Sequence, residues 1–118
     1  MSQPRTAGLA TQNLYCVAAS IGEREILRYT PAGIPVVAAR LHHVSKQVEA
    51  GIERAVEFEI AAIAIGEIAG RFNTALLGGI FYFTGFLARK NRNSKGLVFH
   101  IADFYGVKQP ENSDQTII

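Results

Sequence analysis

The chain has 118 residues, of which 48% are hydrophobic and 19% charged, and twelve Lys+Arg against ten Asp+Glu leave a net charge of +2. This length fits one domain with a core that needs no metal or disulfide staple, and the composition excludes a disordered chain. The total charge is too small to announce nucleic-acid binding, so such an argument has to rest on where the cations fall.

Residues 1–13 are polar and lack the apolar run of a secretory signal; they read as a disordered lead-in. Leu14 to Ile21 is the first predicted strand, with Tyr15, Val17, Ala19 and Ile21 on one face at period two. It carries the single cysteine, Cys16, which has no partner for an internal disulfide. That fits a reducing cytoplasm, and between Tyr15 and Val17, with no cation adjacent in sequence, Cys16 is expected to be structural and unreactive. Thr30-Pro31-Ala32-Gly33 predicts a β-turn, since proline pre-sets φ and glycine accepts the positive φ that closes such turns.

Pro35 to Gln47 is the second predicted strand, with Val37, Ala39 and Leu41 inward and Arg40 and His42 outward. Glu49-Ala50-Gly51 turns the chain into a third strand, Ile52 to Ile65, where Val56, Phe58 and Ile60 alternate with Glu57 and Glu59. From Gly66 to Ala75 the alternation stops, and Ile68, Phe72 and Ala75 fall at helical spacing. Leu77 to Ala88 is the fourth strand, with Phe81, Phe83 and Leu87 on one face and Tyr82, Thr84 and Phe86 on the other. The apolar stretch from Ala75 to Ala88 is shorter than the ~20 residues of a membrane helix and is punctuated by glycines. Arg89 to Lys95 is a loop, Gly96 to Val107 the fifth strand, and 109–118, with Pro110, Glu111 and Asp114, a flexible tail.

Three strands, a short helix and two strands are the element order of the OB-fold, an all-β, five-stranded Greek-key barrel whose loops and one face bind single strands or oligosaccharides. The expected domain spans 14–108. Other small barrels share this order, so the residues have to carry the functional argument.

The strongest chemical feature is Arg89-Lys90-Asn91-Arg92-Asn93-Ser94-Lys95, with four cations and no acid between the last two strands. Arg89, Lys90, Arg92 and Lys95 there would neutralise phosphates and release counterions. The competing reading is a solvated hairpin tip. Arg28, Arg40 and Lys46 are secondary candidates, each also readable as ordinary surface charge. Tyr82 and Phe86 share a strand face with Lys90, and aromatic rings beside cations suit sequence-tolerant stacking, though large apolar side chains more often bury. His42, His43, His100 and Cys16 make no metal-ligand spacing, and neither a Walker loop, a G-x-G-x-x-G run nor a G-x-S-x-G elbow occurs. No catalytic residue, metal or cofactor is predicted.

Arg28-Tyr29-Thr30-Pro31-Ala32-Gly33-Ile34-Pro35, the later Glu59-Ile60 and Gly66, and Gly85-Phe86-Leu87-Ala88 with the basic loop after it resemble primosomal replication protein N. That family is the small, single-strand-binding-like component of the bacterial replication restart primosome, and the resemblance covers about 13–107. It implies a non-enzymatic, cytoplasmic homodimer of OB-folds that binds single-stranded DNA and touches the restart helicase, primosomal protein N-prime. Some members carry a tryptophan for base stacking on the third strand; the matching stretch here is Val56-Glu57-Phe58, and the chain has no Trp. A single-strand-binding protein without its long linker and acidic tip is the nearest alternative. An OB-like barrel that binds only protein is another, favoured by Glu57, Glu59 and the low net charge.

Overall fold

The alternation along the sequence becomes strands in the computed structural model, which describes residues 11–107. In chain order these are β1 (Tyr15–Arg24), β2 (Arg28–Tyr29), β3 (Pro35–Glu49), β4 (Ile52–Ile65), the helix α1 (Glu67–Asn73), β5 (Ile80–Arg89) and β6 (Leu97–Gly106). The sheet runs β1-β5-β6-β4-β3-β2, and a further β1–β3 pairing closes it. Neighbours pair antiparallel except β4 and β6, which run parallel at Ala62↔Phe99 and Ile63↔His100. The result is the closed five-stranded OB-fold barrel with one short helix before β5; the two-residue β2 is an addition on the edge of β3.

β1 serves two partners. Tyr15 to Ser20 pair with β5, and Ser20 to Arg24 pair with β3, with a bulge between Ile21 and Glu23 where the strand changes sides. It therefore runs to Arg24, beyond the expected end at Ile21. β5 starts at Ile80, later than the expected Leu77. The residues before it form a turn, in which the Gly78 N–H donates to Ile21 O at 2.9 Å and the Gly79 N–H to Leu76 O at 3.0 Å. The Thr30–Gly33 turn forms as read: the Gly33 N–H donates to Thr30 O at 2.8 Å, and Gly33 has φ 85°.

The inward faces of β1, β3 and β5 are those read from the sequence. Ile21, Val37, Leu41 and Phe83 are fully buried, β6 adds Phe99 and α1 adds Phe72. Each such side chain contributes about 1.5–3 kcal/mol of burial. Phe72 meets Phe83 and Phe104 edge-on, at 6.2 and 5.8 Å between centroids. Two arginines hold the helix over this cluster. One Nη of Arg24 donates to Phe72 O and Ala75 O at 3.0 and 2.5 Å, satisfying carbonyls at the helix end. Arg71 donates to Asp103 Oδ1 at 2.8 Å and to Phe104 O, its guanidinium 4.5 Å over the Phe104 ring. The Arg71 hydrogen bond, with one from the Phe104 N–H, holds the Asp103 carboxyl below its usual range.

β3 and β4 pair without a break from Val36↔Ile65 to Glu49↔Ile52, whereas β1 pairs with β3 only up to His42 and β6 with β4 only at Ala62 and Ile63. Residues 43–58 therefore leave the barrel as a two-stranded arm of about 24 Å, at ~3.4 Å per residue. His43 ties its root to β1. Its Nδ1–H donates to Ala18 O at 2.7 Å, so Nε2 accepts from Ser45 Oγ, also at 2.7 Å.

The tail expected over 109–118 and most of the lead-in expected over 1–13 lie outside the described residues. Asn13, placed in that lead-in, is held by a reciprocal pair: its Nδ2 donates to Leu87 O at 2.8 Å and its Oδ1 accepts from Leu87 N–H at 3.1 Å. Cys16, expected to be structural, is exposed, because it alternates with the inward-turned Tyr15 and Val17. Among the described residues no helix is long and apolar enough to cross a membrane.

Candidate nucleic-acid interface

On the outside of the barrel, β3, β4 and β6 floor an open groove of about 710 Å³. Ala38 and Arg40 on β3, Ala61, Ile63 and Ile65 on β4, and Val98 and His100 on β6 line it, with Lys90 and Arg28 at its sides. The floor is apolar because Ala38 faces Ile63 across β3 and β4 and the residue opposite Arg40 is the small Ala61. Three of the cations singled out in the sequence, Arg28, Arg40 and Lys90, thus converge although they lie up to 62 positions apart. Glu23 and Glu25 also line the groove and moderate its charge.

The basic loop between β5 and β6 is a built turn. The Asn91 side-chain oxygen accepts the Asn93 N–H at 2.9 Å, Asn91 O accepts the Ser94 N–H at 3.1 Å, and Ser94 Oγ accepts the Gly96 N–H at 3.1 Å. Its polar residues satisfy its own backbone, leaving Arg89, Lys90, Arg92 and Lys95 exposed. Among the described residues none of these four, nor Arg28, makes an ion pair.

The β3 cations are arranged differently. Arg40 meets Glu59 at 3.4 Å, His42 meets Glu57 at 2.8 Å and Lys46 meets Glu53 at 3.9 Å. Each pairs diagonally, with the residue that stands opposite the position two further along β3. Glu59 and Glu53 are therefore partners of the β3 cations Arg40 and Lys46 as well as a source of repulsion for phosphate. Arg40 still lines the groove; Lys46 lies out on the arm and does not.

The two aromatic candidates also part company. Phe86 lies on β5 four residues before Lys90, 44% exposed, and stacks on His100 with centroids 4.8 Å apart and planes 8° from parallel. Tyr82, 43% exposed, sits four residues back against Tyr105 at 5.4 Å; neither ring lines the groove itself, but Phe86 stacks on His100, which does. Nothing in the sequence singles out His100 as a binding residue. Its register opposite both Phe86 and Ile63 is a product of barrel closure, and the one sequence signal was its outward parity with Val98.

A family model described as another single-strand binding protein family matches residues 13–103. The replication restart protein PriB of Nitrosomonas europaea is 42% identical over 92 residues, covering 78% of this chain and 85% of that protein. A solved structure of PriB from Ralstonia solanacearum superposes with a TM-score of 0.76 at 38% identity, covering 83% of this chain and all of that one. The single-stranded DNA binding protein of Thermus aquaticus shares the fold, with a TM-score of 0.66 at 19% identity over 82% of this chain and 50% of that one.

Proposed function

The chain belongs to the single-strand binding protein family matched over residues 13–103 and to the PriB family of replication restart proteins, and from that premise we propose that it holds single-stranded DNA at sites of replication restart. The observation that carries this reading is the convergence of Arg28, Arg40 and Lys90 on one open groove, continuous with a loop whose cations have no carboxylate partner among the described residues. Phosphates follow the cations of the loop and groove, while bases turn toward the apolar floor and the exposed ring of Phe86. Affinity comes chiefly from counterion release, with little readout of base edges. Lys46 and Tyr82 stand at the margins of this path. The protein works in the cytoplasm as a homodimer and presents the strand to the restart helicase, a task that needs binding and no chemistry of its own.

Titration of a labelled oligothymidine at two salt concentrations tests the reading. Each neutralised phosphate adds about −0.7 to the slope of log K against log salt, so the four loop cations together account for roughly −3. A protein that binds the restart helicase but shows no salt-dependent affinity for the oligonucleotide is instead a protein-interaction module.

A further inference from the structure

We propose that His100, which lines this groove, and Phe86, stacked on it at the groove's edge, form a nucleobase platform, and that His100 is a binding residue for the DNA. The inference deepens the single-strand reading above and rests on it. Phe86 and His100 stand directly opposite each other on β5 and β6, their rings 4.8 Å apart and 8° from parallel. Parallel packing covers one face of each ring with the other and leaves the second face of each uncovered by its partner. His100 lines the groove, with Ile63 opposite it on β4 and Val98 two residues back on its own strand. Phe86 stays 44% exposed although one face of its ring packs on His100, so the pair is accessible from solvent.

The backbone is adapted to this pairing. β6 carries an extra residue where the register slips between Thr84 and Gly85, and the slip sets Phe86 against His100. It also brings the His100 carbonyl so close that a Cβ on Gly85 would lie 1.9 Å from its oxygen. The cations that would hold the flanking phosphates, Lys90, Arg28 and Arg40, line the same groove. A flat apolar surface among cations suits a base of any identity, since every base offers a π-face. In a chain without tryptophan, the imidazole–phenyl pair supplies that surface.

The experiment compares labelled oligothymidine with an abasic oligonucleotide of the same length. The unaltered protein, His100→Ala, His100→Tyr and Phe86→Leu are titrated against both. His100→Ala is expected to lower affinity for oligothymidine roughly 5- to 150-fold, the range of one base–aromatic stack, and to leave abasic binding unchanged. His100→Tyr keeps a flat ring and retains oligothymidine binding. Phe86→Leu keeps an apolar strand residue without a ring and reproduces the base-dependent loss. Equal losses on the two ligands, or no loss in either ring-removing variant, overturn the platform and leave the single-strand reading in place. An unaltered protein that binds neither oligonucleotide overturns that reading and the platform with it.

Discussion

Gly85 has no room for a side chain, because the bulge in β6 presses the His100 carbonyl against its α-carbon. Gly85→Ala forces β5 and β6 apart at the point where Phe86 and His100 meet. Overpacking of this kind costs about 1–3 kcal/mol or more. Urea unfolding should show that loss, and DNA affinity should fall with it as the stacked pair is displaced. Asp103 gives a pH-dependent counterpart. Its carboxyl is held below the usual range by Arg71 and the Phe104 N–H, so its bonds favour the folded state above the ordinary carboxylate pKa and are lost as the pH falls through the depressed value. Asp103→Asn should lower the unfolding midpoint slightly at about pH 7, since exposed pairs contribute little, and the difference from the unaltered protein should shrink as the pH falls through the depressed value. A difference of the same size at neutral and acid pH would show that the carboxylate's charge is not the cause.

The loop and β3 differ in what their cations are free to do. Arg89 and Lys90 have no ion-pair partner among the described residues, so Arg89→Ala with Lys90→Ala should weaken all DNA sequences alike and flatten the salt slope by about 1.4. Stability should change by less than about 0.5 kcal/mol, as for most exposed substitutions. Arg40 lines the groove but is engaged by Glu59. Glu59→Gln frees it for a phosphate and should tighten binding while steepening the slope by about 0.7. An unchanged slope in that variant would place Arg40 outside the DNA path. The diagonal ladder explains why net charge is a poor guide here: Glu59 and Glu53 on β4 cancel Arg40 and Lys46 on β3 and leave the cations of the loop untouched.

At the scale of the whole molecule, apolar side chains outside the groove lining remain exposed, among them Leu14, Ile26 and Leu76. The expected homodimer would cover part of this surface. Light scattering should give twice the 12.8 kDa chain mass at micromolar concentration; a monomer mass there would count against it. The barrel also explains how distant residues share one groove. Closing the sheet through β1–β3 and the parallel β4–β6 pair brings β2, β3, β5 and β6 around one opening, so Arg28 and Lys90 become neighbours of the same cavity.

By itself the sequence determined the five main strands, the inward faces, the turns and the basic loop, because these rest on local physics. Period-two alternation marks a half-buried strand, proline and glycine mark turns, and adjacent cations are visible as such. The ends of β1 and β5 escaped it, since the change of partner at Ile21 and the turn before Ile80 depend on bonds to distant strands. Exposure of Cys16 was readable in principle from its parity, yet its apolar neighbours suggested the opposite. Only the tertiary structure decided which cations are spent on carboxylates and which aromatic rings meet. Register between strands is set by barrel closure and bulges, and no residue's own neighbours encode it.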